Sequence, residues 1–317
     1  MPHVIIAGSI HESGIHVIDK RRDFTYTYLS KNDDFSYKEL IKDADALVIR
    51  TQPLVKTDIL GAVNLKIVSR HGVGYDAVDV DALSQRDIPL TIVGDVNSQS
   101  VAEHSMALLL AAYKRLIKND EAVRIGPWIY RNQLEPEELS GKALLILGYG
   151  RIGRRLAKMA SAFEMNVSVY DPFIQEADWP EGPAVKVEDF NLAISQADCI
   201  SINMPRADKP LIGKDEFEKM KAGVVIINTA RGGIIQENDL IKALKHGKVG
   251  AAGLDVFDDE PPLSSNPFVS FKQVVLTPHI AGLSKESAEA MAVSSVQNVI
   301  DFFDGKLDPS LIVNKKI

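Results

Sequence analysis

An apolar run, Ala143-Leu144-Leu145-Ile146-Leu147, breaks into Gly148-Tyr149-Gly150-Arg151-Ile152-Gly153 and continues as a helical pattern. A strand that turns on glycines into a helix N-terminus builds an anion site. Unpaired N–H groups and the positive end of the helix dipole face the turn, and the missing side chains let a pyrophosphate reach the backbone. Glycine turns are common, so the context has to narrow the reading. Residues 166–170 read as a second strand ending in Asp171-Pro172, and Asp171 follows Gly150 by 21 positions, where an acid that bonds the adenosine ribose is expected. Gly148, Tyr149, Gly150, Arg151, Ile152, Gly153, Asp171 and Pro172 are therefore candidate dinucleotide contacts. A carboxylate at Asp171 favours NAD by repelling a 2′-phosphate. The alternative is a plain strand–helix turn in some other α/β protein.

The rest of the chain supplies the sheets this turn requires. Residues 4–7, 25–29, 46–49, 66–69 and 90–93 read as strands, with helical patterns at 14–22, 37–43, 57–63 and 78–86. A second series of strands falls at 143–147, 166–170, 199–202, 224–228, 251–255 and 274–276. Strands alternating with helices at this spacing predict parallel sheets covered on both faces. A chain of 317 residues accommodates two such domains. The fold class expected is α/β, with two Rossmann-like doubly wound domains. Long amphipathic helices at 98–118 and 284–303 mark the crossings, and 311–313 reads as a strand returning to the first sheet. That return makes the first domain discontinuous, 1–98 with 288–317, around a second domain at 99–287.

Composition removes several function classes. A net charge of −7 argues against a nucleic-acid surface, which needs a basic face. No stretch approaches the roughly 18 apolar residues of a membrane span. The single cysteine, Cys199, lies in an apolar run and reads as a buried, inert thiol; with no intramolecular disulfide, a cytoplasmic setting is expected. No metal site is expected.

Three further segments each place one polar residue beyond a strand, the side on which open α/β sheets bind ligands. The run 224–228 leads through Thr229 and Ala230 to Arg231, the run 251–255 leads to Glu260, and the run 274–276 leads through Thr277 and Pro278 to His279. A cation, a carboxylate and an imidazole together suit reduction of a 2-keto acid. An imidazole titrates near neutrality and can protonate the carbonyl oxygen. A carboxylate on its other nitrogen orients it, and a guanidinium offers a planar fork to the substrate carboxylate. Taken singly, His279 also suits a turn, Arg231 a bridge between loops, and Glu260 a solvated acid before Pro261.

Together these four segments resemble the D-isomer-specific 2-hydroxyacid dehydrogenases along essentially the whole chain. The resemblance rests on the Gly148–Gly150–Gly153 turn with Asp171-Pro172, on Asn228-Thr229-Ala230-Arg231-Gly232-Gly233, on Gly253-Leu254-Asp255-Val256-Phe257 with Glu260-Pro261-Pro262, and on Thr277-Pro278-His279-Ile280-Ala281-Gly282. It implies an NAD-dependent enzyme with a cleft between a substrate-binding and an NAD-binding domain. It implies His279 as acid/base, Glu260 as its partner and Arg231 as substrate binder, with Met204, Pro205, Thr229, Ala230, Asp255, His279 and Ala281 as further cofactor contacts. It also implies a homodimer through the nucleotide domains. Arg206 is a counterweight to NAD, since a nearby arginine can accept a 2′-phosphate.

The segment around Arg70-His71-Gly72-Val73-Gly74 resembles the family's substrate loop, with backbone N–H groups at Val73 and Gly74 holding a carboxylate; the alternative is a plain turn. Arg50 and Arg70 match positions that bind phosphate in phosphoglycerate dehydrogenases, and Arg131 fits the same role across a dimer. Arg50 and Arg70 equally suit carboxylate partners at strand ends. The substrates in view are 3-phosphoglycerate with phosphohydroxypyruvate, or glyoxylate and hydroxypyruvate. A non-enzymatic NAD(H)-sensing corepressor is the reading from another class. His104 suits either a polar role near the site or helix packing.

Overall fold

The computed structural model describes residues 1–30, 34–126 and 128–314. The chain divides into two compact units, Met1–Asn97 with Leu283–Ile317, and Ser98–Gly282. The second crossing thus precedes the helix Lys285–Phe303 instead of falling inside it at 287/288. Ser284 caps this helix, its Oγ accepting the Ser287 N–H at 3.1 Å. Its buried stripe, Ala292, Val296, Val299 and Ile300, packs with Val4, Ile6, Val48 and Ile67, so the helix belongs whole to the first unit.

The first unit is built on five parallel strands: β1 (His3–Ala7), β2 (Thr25–Leu29), β3 (Ala46–Ile49), β4 (Ile67–Arg70) and β5 (Leu90–Thr91), in the order β2-β1-β3-β4-β5. Apolar residues alternate between its faces: Ile5 and Ala7 enter one core, Val4 and Ile6 the other. Burying each large aliphatic side chain contributes about 1.5–3 kcal/mol. The strand expected at 311–313 is reduced to one antiparallel bridge, Ile312 to Thr91. Pro309, with its fixed φ and no N–H, starts a capped 3-10 turn, Pro309–Leu311, that leaves no length for a ladder.

The second unit holds seven parallel strands: β6 (Ala143–Leu147), β7 (Asn166–Tyr170), β8 (Val185–Lys186), β9 (Cys199–Ile202), β10 (Val224–Asn228), β11 (Val249–Leu254) and β12 (Val274–Leu276). Their order is β12-β11-β10-β9-β6-β7-β8, so the direction of winding reverses between β6 and β9. Leu145 and Leu147 face one core, Leu144 and Ile146 the other. β8 was not expected, because two residues at an edge with Val185 exposed leave no apolar pattern. The helix expected over 98–118 stops at Tyr113. Arg115 adopts φ +50°, and a second helix, Leu116–Ile125, follows. Cys199 is buried, and burial pushes its thiol up to about 12. Among the described residues no helix is long and apolar enough to cross a membrane.

Within the first unit, the helix Glu12–Asp19 lies directly on Lys285–Phe303. A Cβ at Gly14 would fall 2.8 Å from the Ala292 carbonyl oxygen. Gly14→Val should therefore cost about 1–3 kcal/mol, the usual price of overpacking, read as a lower urea midpoint. An unchanged midpoint would mean that the helices separate freely.

Candidate functional site

The winding reversal puts the ends of β6 and β9 side by side, the position at which open sheets bind ligands. Gly148 follows β6 with φ +96°, and its α-carbon passes so close to the other strand end that a Cβ would stand 2.7 Å from Asn203 O. Gly153 packs the helix Arg151–Ala162 back on the turn, where a Cβ would meet Gly148 O at 2.2 Å. Gly150 is different: a Cβ there would meet nothing within 4 Å. The first helix-internal bond runs from Arg154 N–H to Gly150 O at 3.1 Å, so the N–H groups of Arg151, Ile152 and Gly153 precede the ladder. Open space beside free donors fits a pyrophosphate.

At the end of β7, Asp171 braces this turn. Its Oδ2 accepts from Tyr149 N–H at 2.8 Å and its Oδ1 from Phe173 N–H at 3.0 Å. Pro172 is exposed beside it. Tyr149 packs into the turn. Its ring is buried and stacks on Trp179 at 4.8 Å between centroids, and its N–H goes to Asp171, so it serves the turn internally. Beyond β9, Met204 is partly buried against the core and Pro205 is exposed. The Arg206 guanidinium lies against Gly233, where a Cβ would meet it at 2.9 Å, and so sits at the Arg231 loop.

The three polar residues converge through backbone staples. Asn228 ends β10; its Oδ1 accepts from Ala230 N–H at 3.0 Å and its Nδ2 donates to Arg231 O at 2.9 Å, closing the turn that presents Arg231. Arg231 Nη1 donates to Ala230 O at 2.6 Å. Gly232 touches the next loop so closely that a Cβ would lie 2.0 Å from Phe257 O, and Gly233 N–H donates to Asp258 Oδ1 at 2.6 Å. That contact brings the segment carrying Glu260 to the segment carrying Arg231.

Glu260 Oε2 and His279 Nδ1 are 2.6 Å apart, and Glu260 Oε1 accepts from Phe257 N–H at 3.0 Å. Burial pushes the Glu260 carboxyl up, but the bonds from His279 and Phe257 and the Arg231 charge outweigh it, leaving it below the ordinary carboxylate range. With Nδ1 committed, His279 Nε2 is the nitrogen left for a reacting partner. His279 is half exposed and holds φ +51°, a left-handed conformation that costs a non-glycine residue about 1–3 kcal/mol.

Asp255 supplies the restraint. It follows β11 directly and has no exposed surface. Its Oδ1 accepts from Thr277 Oγ1 at 2.6 Å and Ile280 N–H at 2.9 Å, its Oδ2 from Ala281 N–H at 2.9 Å, and its backbone carbonyl from His279 N–H at 2.9 Å. The oxygens of Asp255, expected as a cofactor contact, hold the histidine turn in this structure, as those of Asp171 hold the glycine turn. Ala281 is likewise buried, its N–H on Asp255 and its carbonyl accepting from Ser100 Oγ at 2.6 Å. Thr229 is buried with its hydroxyl 2.7 Å from Ser105 Oγ. Ser100, Ser105 and Trp179 were not anticipated, and each meets its partner far along the chain. The Asn228 staple and the Asp171 bond to Phe173 N–H do have a local signal, an Asn or Asp two residues before the N–H it accepts from.

The first unit carries its own polar cluster at the ends of β1, β3 and β4, beside the point where its strand order reverses. Arg50 Nη1 donates to Ser9 O at 3.0 Å and Arg70 Nη1 to His71 O at 2.8 Å. Burial, with the Arg50 and Arg70 charges adding to it, pushes the His71 imidazole down to about 4. Val73 and Gly74 follow Gly72, which holds φ +144°, and are partly exposed.

Residues 106–281 match the family model described as D-isomer specific 2-hydroxyacid dehydrogenase, NAD binding domain. A D-3-phosphoglycerate dehydrogenase from Archaeoglobus fulgidus is 38% identical over 308 residues, covering 95% of this chain and 57% of that protein. A glyoxylate reductase from Thermococcus litoralis is 35% identical over 329 residues, covering 100% of this chain and 98% of that protein. An NADPH-dependent glyoxylate/hydroxypyruvate reductase from Sinorhizobium meliloti, solved with citrate, superposes with a TM-score of 0.88 at 25% identity, covering 99% of this chain and 98% of that one. The chain spans about half to six-tenths of the length of the phosphoglycerate dehydrogenases it matches.

The pH dependence of the Glu260 pair has a definite sign. A carboxyl lowered in the folded state contributes stability above its unfolded value and loses it as pH falls through the folded value. Wild type should therefore exceed Glu260→Gln in urea stability at neutral pH, and the difference should vanish towards acid. A difference constant with pH would separate Glu260 from the ionised pair.

Proposed function

The chain belongs to the D-isomer-specific 2-hydroxyacid dehydrogenase family, and from that footing we propose that it interconverts a D-2-hydroxy acid and its 2-keto acid. The observation that carries this reading is the 2.6 Å Glu260–His279 pair, which leaves one imidazole nitrogen for proton transfer beside Arg231. Gly148, Gly150, Arg151, Ile152, Gly153 and Asp171 would hold the dinucleotide, whose reduced form would supply the hydride for the carbonyl carbon and whose oxidised form would accept it in the reverse direction. His279 Nε2 gives the proton that the oxygen then needs, and Glu260 stabilises the imidazolium that donates it. Arg231 holds the substrate carboxylate with its planar fork. In the reverse direction the same nitrogen takes the hydroxyl proton.

NAD is preferred in this reading because the Asp171 carboxylate occupies the ribose end while Arg206 lies against Gly233 instead. The substrate proposed is phosphohydroxypyruvate with 3-phosphoglycerate. Arg50 and Arg70 together set up a positive field, felt at His71, that suits a dianion, while Val73 and Gly74 offer N–H groups to a carboxylate. Glyoxylate or hydroxypyruvate reduction is the second reading, favoured by the full-length match to a glyoxylate reductase. The test is oxidation of NADH and NADPH across glyoxylate, hydroxypyruvate, phosphohydroxypyruvate and pyruvate. His279→Ala should lose about 10²–10⁴-fold in kcat, the usual share of general acid catalysis, with NADH binding kept. Arg50→Ala should hurt phosphohydroxypyruvate more than hydroxypyruvate. Equal turnover in His279→Ala would sink the mechanism, and equal losses in Arg50→Ala would remove the phosphate role.

A homodimer through the second unit completes the proposal. Leu116, Ile117, Val123, Ile125, Trp128 and Ile129 are each at least half exposed on adjoining segments, and a second copy covering them is the arrangement proposed. Sedimentation should give twice the 34.8 kDa chain mass, and Ile125→Asp with Ile129→Asp should return the monomer. A wild-type monomer at micromolar concentration would reject this.

A further inference from the structure

His104 lies within the helix Ser98–Tyr113, with its side chain about three-quarters buried. Its Nε2 is 3.0 Å from Thr277 Oγ1. The Thr277 hydroxyl has one proton, and that proton goes to Asp255 Oδ1 at 2.6 Å. A hydroxyl whose proton is committed can only accept from its next partner. His104 Nε2 therefore carries a hydrogen and donates it to Thr277. The imidazole also stands 3.7 Å from Asp255 Oδ1. Asp255 in turn holds the N–H groups of His279, Ile280 and Ala281. One unbroken series of donors and acceptors thus runs from the helix to the histidine turn.

We infer that His104 is a positioning residue: by donating to Thr277 it polarises the Thr277–Asp255 bond and holds the turn that keeps His279 in its left-handed conformation. The inference rests on the reading of His279 as the acid. The same helix steadies the other strand end as well, since the adjacent Ser105 bonds Thr229 just ahead of Arg231. Neighbouring positions on one helix thereby fix the segments that present both the imidazole and the guanidinium.

Amide substitutions separate donation from bulk. Glutamine places its NH₂ near the position of histidine Nε2, whereas asparagine reaches only the Nδ1 position. His104→Asn and His104→Leu should lower kcat about ten- to hundredfold, the scale of an ångström-level misplacement, with KM for NADH unchanged. His104→Gln should recover most of the loss, and Thr277→Val should add little to His104→Leu. The C2–H NMR resonance of His279, assigned with His279→Ala, reads the turn without turnover: it should move in the Asn and Leu variants and return in Gln. A Gln variant no better than Leu, or a Leu variant with wild-type kcat and an unmoved resonance, overturns the inference. A wild type that turns over no 2-keto acid overturns the functional reading instead, and the resonance still decides the part played by His104.

Discussion

A carboxylate with no exposed surface is stable only while its acceptors are filled, and Asp255 fills its own from the histidine turn. Opening that turn would strand a buried acid, at several kcal/mol for an unpaired charge. That penalty is larger than the backbone strain stored at His279, so the strained residue stays where it is held. Glu260 then needs only to reach a ring already fixed in place. The imidazole's direction is thus set from behind, by its own backbone, before any partner touches its side chain.

The parallel sheet explains why the chemistry stands where it does. β10 is buried at all five positions, and β9 at all four, so no polar group within those strands faces solvent. Functional side chains have to follow the strands, and short loops bind them together. Gly148 against Asn203 and Gly232 against Phe257 are two such joins, each a backbone approach that any side chain would block. The glycines are therefore as much the product of loop-to-loop packing as of ligand binding.

Most of the sheet was legible in the sequence, because buried parallel strands write themselves as apolar runs ended by glycine or polar residues. β8 and the segment near Ile312 were not, since a two-residue edge strand with Val185 exposed, or a lone bridge, leaves no periodicity. The break at Arg115 was hidden because the apolar pattern continues through it. In the site, spacing located residues at strand ends but could not orient them. Tyr149 turned inward because Trp179 was there to receive it, and Thr229 because Ser105 was. Such partners lie tens of residues away, and only the tertiary fold reveals them. Arg231, Glu260 and His279 follow strands whose ends the sequence marks, and the structure pairs Glu260 with His279 at 2.6 Å.

The discontinuity of the first unit has a consequence for how the protein is made. One face of its sheet, with Val4, Ile6, Val48 and Ile67, is covered by a helix that begins only after all of Ser98–Gly282 has been synthesised. At about 5–20 residues per second, that wait lasts roughly ten to forty seconds on the ribosome. During it the second unit has its whole sequence available and can close, while the first exposes an apolar sheet face and unpaired edges. The nascent chain thus carries this apolar face uncovered for as long as the second unit takes to be made, and that is where a holding chaperone has work to do.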